Sequence, residues 1–393
     1  MSRQLINHSP DLRRLVDEGY DIEIKSNYLL VKNVPYVTPE KKVAYGILVS
    51  SLDLAGDITT KPHSHVVRFG GHYPCNMDGT EITQIKHQTI TQVIDEKVTT
   101  NYSFSNKPRE GYTDYYHKMT TYIAIISGPA EAIDDTATAK IFPVIETDEQ
   151  ESVFMYRDNA SSRVDINLVT SKLELGKVAI VGLGGTGSYI LDLVAKTPVR
   201  QIFIFDGDRF LQHNAFRTPG APAIEELRAA PFKVDYLKGI YSKMHRNIVT
   251  SKDFIDETNV DQLKEMDFVF LCIDKGCAKK LIIDLLEDCD IPFIDVGMGV
   301  ERADNKLFGL VRVTTSSKQK RNHIQENNRI SFSAEDGEDE YSSNIQIADL
   351  NSLNAALAVI KWKKLFGFYA DLENEHHSLY TIDGNILCNE DRL

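Results

Sequence analysis

Four glycines between two apolar runs are the first sign of chemistry in this chain. The first run, Val178 to Val181, leads into the glycines, and the second, Ile202 to Phe205, ends at Asp206. The glycines are Gly182, Gly184, Gly185 and Gly187. A strand, a glycine turn, a helix and a second strand can hold a nucleotide phosphate at the helix N-terminus and a ribose on the following acid. This pattern predicts a nucleotide site but leaves open NAD or ATP.

The segment after Asp206 separates these two nucleotides. It reads DGDRFLQHNAFR and adds Asp208, Asn214 and Arg217. A dehydrogenase has no use for an asparagine and an arginine here, whereas an ATP site does. Arg217 and Asn214 could reach triphosphate oxygens, because a guanidinium stays charged and donates two parallel hydrogen bonds to phosphate. The pattern therefore favours ATP, with Asp206 on the ribose hydroxyls.

Two further residues extend this series, Lys233 at the start of a predicted helix and Asp274 at the end of a predicted strand. The whole series, over roughly residues 155 to 370, resembles the ThiF/MoeB superfamily of ubiquitin-activating-enzyme-like adenylating proteins. The glycines match its GxGGxG pattern, Asp206 and Asp208 its acid pair, and Asn214 and Arg217 its Asn-x-x-Arg. Lys233 stands at the family's lysine, and Asp274 at its magnesium-associated acid.

The resemblance implies an enzyme that uses ATP and Mg²⁺ to adenylate the C-terminal glycine carboxylate of a small ubiquitin-like or ThiS-like protein. Arg217 and Lys233 would supply positive charge to the phosphoryl oxygens, and Asp274 would hold the metal. Bacterial-type relatives are homodimers in which one subunit lends an arginine to the other's ATP. Arg157 is the preferred candidate for that arginine, with Arg163 as the alternative, and a downstream conjugating protein is a further expected partner.

Three other readings stay open. A NAD(P)-dependent Rossmann oxidoreductase would use the same glycines, and a ThiF-like enzyme could act on a peptide or a tRNA. A scaffold could also keep the nucleotide fold without turnover. The net charge of −13 argues against a nucleic-acid partner, which needs a basic surface. No apolar run approaches the roughly 20 residues of a membrane span, so a cytoplasmic protein is expected.

The cysteines depart from the resembled family. The chain has 5 cysteines and no CxxC pair, so the structural zinc of many relatives is not expected. Residues 298 to 387 lack cysteine, which puts the usual thioester in doubt and leaves Cys388 as a weak candidate. A second weak candidate is Cys75, because residues 28 to 79 faintly resemble ubiquitin-conjugating domains. Cys75 could instead bind zinc with His63, His65 and His72, although polar loop residues are the favoured reading.

The elements needed to position these residues divide the chain in two. The pattern of residues 1 to 150 predicts an N-terminal α+β domain, with a helix from Thr113 to Ser127, that recognises a partner or an acceptor. Residues 151 to 393 alternate strand and helix signals, which predicts a Rossmann-like, mostly parallel sheet with helices on both faces. A mobile loop is expected over residues 315 to 345. A final helix is expected from Asn351 to Phe366, with Leu353, Ala356, Leu357 and Ile360 on its apolar face.

Overall fold

The computed structural model describes most of the chain, and its Cα packing divides it into two units, Met1–Ile145 and Glu146–Leu393. The described residues are 2–95, 98–147, 152–158, 160–161, 166–332 and 345–393. Within them, no helix is both long enough and apolar enough to cross a lipid bilayer.

The first unit is an antiparallel sheet with helices, as the sequence predicts. Its six-stranded sheet has the order β1-β2-β3-β6-β8-β7. The main strands are β1 (Ile22–Lys25), β2 (Tyr28–Val37), β3 (Val43–Ser51), β6 (Val66–Gly70), β7 (Lys86–Asp95) and β8 (Val98–Ser105), and a separate ribbon contains β4 (Leu54–Ala55) and β5 (Ile58–Thr59). The helices are α1 (Ser2–His8), α2 (Pro10–Asp17), a 3₁₀ turn (Thr83–Ile85) and α3 (Tyr115–Ile133).

Helix α3 begins at a side-chain cap and ends beyond its predicted limit. The Asp114 carboxylate accepts a hydrogen bond from the His117 backbone N–H at 2.7 Å, which satisfies a donor that the first turn leaves unpaired. The helix continues through Pro129 to Ile133, whereas the sequence predicts residues 113 to 127. Its buried face carries Tyr115, Met119 and Tyr122, which pack into the core beneath the sheet.

The second unit contains an eight-stranded sheet in the order β11-β10-β9-β12-β13-β14-β15-β16. The strands are β9 (Lys177–Val181), β10 (Gln201–Phe205), β11 (Ile248–Ser251), β12 (Phe268–Leu271), β13 (Phe293–Ala303), β14 (Lys306–Ser316), β15 (His377–Thr381) and β16 (Ile386–Glu390). The helices are α4 (Asn167–Thr170), α5 (Gly185–Val194), α6 (Gln212–Ala215), α7 (Ile224–Ala229), α8 (Lys233–Tyr241), α9 (Gly276–Asp288), α10 (His323–Glu326) and α11 (Ala348–Leu365), with 3₁₀ turns at Ser171–Leu173 and Val260–Glu265.

The five strands from β11 to β13 are parallel, and both of their faces are covered by helices. Val178 and Ile180 of β9 pack on one side with α5, α8 and α11, while Ala179 and Val181 pack on the other side with α9. This alternation confirms the predicted Rossmann-like layering. Because β9 lies between β10 and β12, the loops after these three strands emerge at the same edge, where open parallel sheets bind ligands.

The sequence predicts a mobile loop from residue 315 to residue 345, and for the described residues of this segment the prediction is partly wrong. Strand β14 continues to Ser316, and the short helix α10 follows. Ile324 and Ile330 are buried in the core beside α9, so residues up to 332 pack against the unit. Residues 333 to 344 lie outside the described residues.

Strand β15 is held to β14 by buried histidines. The Nδ1 atom of His377 lies 3.0 Å from the Thr314 hydroxyl, and the Nε2 atom of His376 lies 3.0 Å from the Ser317 hydroxyl. Burial lowers the pKa of both histidines from 6.5 to about 4, with help from Lys361 at His376 and from Arg329 at His377. Both imidazoles are therefore neutral in the folded unit at neutral pH.

We expect the second unit to lose stability as the pH falls from about 6.5 towards 4. In this window the unfolded chain binds protons that the folded histidines cannot, so each histidine costs about 2 kcal/mol of unfolding free energy between pH 7 and pH 5. Denaturant titrations at both pH values measure this loss. His377→Gln, which can still hydrogen-bond Thr314, should reduce the loss. An equal loss in that variant would contradict the assignment to His377.

Candidate active site

The glycine turn after β9 is built by close backbone approach. Gly182 has φ +90°, a left-handed conformation that favours glycine. The Gly182 N–H donates to the Phe205 carbonyl at 2.8 Å, which joins the turn to the end of β10. At Gly187 a Cβ atom would lie 2.0 Å from the Gly182 carbonyl oxygen, so only glycine lets α5 start this close to β9. The helix begins at Gly185 with its free N–H groups at the sheet edge.

Asp206 fixes the shape of this turn. It is buried, and its two carboxylate oxygens accept hydrogen bonds from the Leu183 N–H at 2.7 Å and the Asp208 N–H at 2.9 Å. Sequence reasoning assigns Asp206 to a ribose, and a carboxylate has further lone pairs for hydroxyl groups. The structure adds a second task, since this carboxylate ties the glycine turn to the loop after β10.

Lys233 joins the same cluster. Its Nζ atom lies 2.7 Å from an Asp208 carboxylate oxygen and 3.5 Å from an Asp206 oxygen, and its side chain is only 7% exposed. The Lys233 N–H also donates to the Asp208 carbonyl at 2.9 Å, which places the first residue of α8 against the acid pair. The structure thus brings Lys233 to two acids that precede it by 27 and 25 positions in the sequence.

Asn214 and Arg217 carry buried polar atoms that have no partner among the described residues. The Asn214 carboxamide oxygen accepts from the Leu211 N–H at 2.8 Å, but within the described part of the chain its Nδ2 has no acceptor. The same holds for the Nε of Arg217. A buried donor without an acceptor costs about 1–3 kcal/mol, so such donors point to a ligand that supplies oxygens. Burial, with help from the nearby charges of Arg217 and Lys233, lowers the pKa of the neighbouring His213.

Asp274 lies at the same edge of the sheet, in the loop between β12 and α9. It is exposed, and no other described residue is recorded in a hydrogen bond or ion pair with its carboxylate. A free carboxylate at a nucleotide site fits Mg²⁺, which proteins bind through one or two carboxylates together with substrate phosphates. The donors on Asn214 and Arg217 and the glycine turn likewise fit a polyphosphate.

Of the two candidate arginines for a second subunit, Arg157 lies among the described residues. Arg157 is half-buried and directly follows Tyr156, which bridges to Glu146. Arg163 lies outside the described residues. The role of Arg157 at a neighbouring subunit's nucleotide stays a prediction.

Sequence reasoning missed Asn351 on α11. Its Oδ1 accepts from the Thr186 hydroxyl at 2.9 Å, and its Nδ2 is buried without a partner among the described residues. A Cβ on Gly185 would lie 2.1 Å from that Nδ2, so α11 packs tightly against the start of α5. A polar residue on the buried face of a helix was the available signal, but the predicted apolar face pointed elsewhere.

The cysteine and histidine candidates do not form a second centre. Cys75 is buried, its thiol donates to the Tyr73 carbonyl, and burial raises its pKa, so neither reactive character nor access supports an acceptor thiol. No three His, Cys, Asp or Glu side chains among the described residues are grouped to hold a metal ion. His63 instead lies beside Asp53. Cys388 is exposed on β16.

Two family models match the chain, and their matches meet at residues 156–159, shortly after the boundary between the two units. Residues 156–320 match the model described as the ThiF family. Residues 10–159 match a model described as a domain of unknown function, DUF6791. The ThiF match covers every site residue discussed above except Asn351.

The ubiquitin-like modifier-activating enzyme 5 of Drosophila virilis is 26% identical over 146 residues, covering 34% of this chain and 36% of that protein. The protein of the same name from Culex quinquefasciatus is 24% identical over 165 residues, covering 39% of this chain and 40% of that protein. The chain thus matches at most about two fifths of the length of either relative.

Two crystal structures resemble the chain at lower identity. E. coli MccB with ATP is 19% identical and has a TM-score of 0.44, covering 58% of this chain and 67% of that one. SeMet PaaA is 18% identical with a TM-score of 0.44, covering 60% and 80% respectively. Neither likeness bears on function.

Proposed function

We propose that the second unit, in which residues 156–320 match the ThiF family model, adenylates the C-terminal carboxylate of a small ubiquitin-like or ThiS-like protein, using ATP and Mg²⁺. Relatives named as ubiquitin-like modifier-activating enzymes support activation of a small protein by adenylation at the level of the family. The observation that carries the proposal is the pair of buried donors on Asn214 and Arg217, which have no acceptor in the described part of the chain and follow the Asp206–Lys233 cluster's loop.

In the proposed reaction, a carboxylate oxygen attacks the α-phosphorus of ATP. A new phosphorus–oxygen bond forms, the bond to the β-phosphate oxygen breaks, and pyrophosphate leaves with its electron pair. Negative charge accumulates on phosphoryl oxygens, so fixed donors and cations lower the barrier. Arg217 and Lys233 would provide that charge, and the N–H groups at the start of α5 would hold phosphate. Asp274 would hold Mg²⁺, which neutralises phosphate charge when bound.

Lys233 must change partners to take this role. Its ammonium now faces Asp208 at 2.7 Å and Asp206 at 3.5 Å, a cluster with one more negative than positive charge. An arriving polyphosphate offers a stronger anion than the Asp208 carboxylate, whose side chain is 40% exposed and can be solvated when released. Asp208 would thus keep the lysine ordered until the nucleotide binds. Asp206 would retain its backbone bonds and add the ribose hydroxyls.

The partner of the proposed enzyme follows from the reaction. A small protein that ends in glycine presents an unhindered carboxylate, and a peptide or a tRNA is the alternative substrate. The proposed assembly is a homodimer in which Arg157 of one subunit approaches the nucleotide of the other. A downstream conjugating protein would take up the activated acyl group, and the first unit would recognise that protein or the substrate.

Exchange of labelled pyrophosphate into ATP, with the partner protein present, tests the proposal. We expect Arg217→Ala to slow the exchange about 10²–10³-fold, because it removes a donor to charge that develops in the reaction. Asp274→Ala should cause a similar loss. Arg228→Ala, at an exposed position on α7, is the control and should leave the rate unchanged.

Full exchange in both the Arg217 and Asp274 variants would refute the proposal. The oxidoreductase alternative is tested by thermal shift, since a ligand stabilises the state that binds it. ATP with Mg²⁺ should raise the melting temperature, and NADH should not. Binding of ATP without any exchange would instead favour the scaffold.

A further inference from the structure

A carboxylate with two cations is buried beneath the candidate site. Asp295 on β13 is fully buried, and one of its oxygens lies 2.9 Å from the Lys279 Nζ. The other accepts from the Arg312 guanidinium at 2.5 Å, and that guanidinium also donates to the Thr314 hydroxyl at 2.6 Å. The Lys279 side chain is 7% exposed. None of these three residues belongs to the nucleotide cluster.

Lys279 is an unfavourable residue at its position unless Asp295 is present. It lies in the first turn of α9, where the helix dipole disfavours positive charge, and it is shielded from water. The negative charge of Asp295 compensates for both the helix dipole and the loss of water around the ammonium. Because β13 is hydrogen-bonded to β12 on one side and to β14 on the other at this residue, the carboxylate is a fixed point of the sheet. Lys279 therefore attaches the start of α9 to the sheet.

The loop held by this attachment carries Asp274. It is only four residues long, from Cys272 to Lys275, between the end of β12 and the start of α9. At its first residue the Cys272 N–H donates to the Val181 carbonyl at 2.8 Å, so that end is fixed to β9. The Asp274 side chain has no recorded hydrogen bond to another described residue. Its position is thus set by the two ends of the loop, and Lys279 secures the second end.

We propose that Lys279 is a positioning residue that holds Asp274 at the nucleotide site through its ion pair with Asp295. The inference rests on the proposed function, because it gives Asp274 a task in the reaction. A misplacement of about 1 Å in a reacting group costs about 10²-fold in rate. Loss of the ion pair between Lys279 and Asp295 should therefore displace Asp274, although Lys279 acts on that residue only through the loop.

The test compares Lys279→Met with Lys279→Arg, which keeps the charge and can still pair with Asp295. Lys361→Met is the matched control: Lys361 is also buried on a helix, with its Nζ 2.8 Å from Asp371. Hydrogen exchange of amides 272–279 in the nucleotide-free protein reports on the loop directly. Pyrophosphate exchange at varied Mg²⁺ concentrations reports on Asp274.

Lys279→Met should speed amide exchange in the loop at least tenfold and raise the Mg²⁺ concentration for half-maximal activity about tenfold. Its maximal rate should fall about 10–100-fold. Lys279→Arg should stay within about threefold of the parent on each measure. Lys361→Met should lower the melting temperature without changing the amide exchange of the loop or the Mg²⁺ requirement.

If Lys279→Met left either the amide exchange of the loop or the Mg²⁺ requirement unchanged, the positioning role would be overturned while the proposed function stayed intact. A similar Mg²⁺ shift in Lys361→Met would also overturn it, since general destabilisation would then explain the effect. If the parent protein shows no pyrophosphate exchange, the proposed function fails and the positioning role falls with it. The amide measurement would then still decide whether Lys279 holds the loop.

Discussion

Gly187→Ala should destabilise the second unit by more than about 3 kcal/mol, although alanine is the better helix former. Intrinsic propensity favours alanine over glycine by about 0.5–1 kcal/mol inside a helix. Here, however, the new Cβ would lie 2.0 Å from the Gly182 carbonyl oxygen and 3.1 Å from the Cys272 Cβ. The first of these is a backbone atom, so no side-chain rotation relieves the clash and α5 must move away from β9. Denaturant titration of the purified variant measures the loss.

Gly184→Ala provides the comparison for this prediction. Gly184 has φ −67°, and no atom of the described residues lies within 4 Å of a Cβ added there. The unfolding free energy of the Gly184→Ala variant should stay within about 0.5 kcal/mol of that of the parent protein, as is usual for a substitution that causes no clash and removes no contact. The added methyl group would instead obstruct a phosphate at the start of α5, so calorimetry should show weaker ATP binding. Equal stability of the two variants would contradict the packing role of Gly187.

Lys233→Met should slow pyrophosphate exchange about 10²–10³-fold and also destabilise the second unit. The exchange falls because a cation is lost from the phosphoryl oxygens. The stability falls because the Asp206 carboxylate, which is 6% exposed, loses the ammonium that now lies between it and the Asp208 carboxylate. Removing one partner of a buried ion pair costs about 3–5 kcal/mol, and the two backbone donors to Asp206 should reduce that cost. Activity and stability thus change together in this single variant.

A second substitution separates the two effects. Adding Asp208→Asn to Lys233→Met removes one of the two facing carboxylates, so part of the lost stability should return while exchange stays low. Lys238→Met, at an exposed position on the same helix, should change neither property. If the double variant regained exchange, Lys233 would be needed only to balance the acids and not for the reaction.

The parallel strands and the site edge could be predicted because each rests on a short, local pattern. Strands β9, β10 and β12 contain the continuous apolar runs Val178–Val181, Ile202–Phe205 and Phe268–Leu271, which are typical of strands buried on both faces. Once these strands are parallel, the residues that follow them must meet at one edge. The convergence of the glycine turn, Asp206 and Asp274 therefore follows from the order of elements in the sequence.

The packing of α11 could not be predicted in the same way. The pattern placed Leu353, Ala356, Leu357 and Ile360 on the buried face, but Ile360 is exposed, and Asn354 and Ala358 are buried instead. Two asparagines occupy the buried face because they have backbone or hydroxyl partners there: Asn354 donates to the Gly297 carbonyl at 3.0 Å, and Asn351 accepts from Thr186. A rule that assigns only apolar residues to the core fails where polar side chains make tertiary hydrogen bonds, here one recognised bond for each asparagine.

The ion pairs could not be predicted from the sequence either. Lys233 was expected to serve only a phosphate, and nothing in the sequence showed that it pairs with both acids of the preceding loop. Lys279 and Asp295 are separated by 16 positions and lie on different elements, so no helical or strand spacing relates them. Which residues form such pairs depends on the face of the sheet against which a helix packs, and that face is determined by packing over the whole unit.

The burial pattern of the thiols bears on how this protein can be studied in solution. Burial raises the pKa of Cys75 and Cys272, whereas Cys277 is exposed in the first turn of α9, three residues after Asp274. A maleimide dye on Cys277, with Cys289 and Cys388 changed to serine, would thus sit beside the loop that is proposed to meet the metal. Its fluorescence would follow nucleotide arrival in real time, and alkylating reagents would reach this edge of the sheet well before they reach the core.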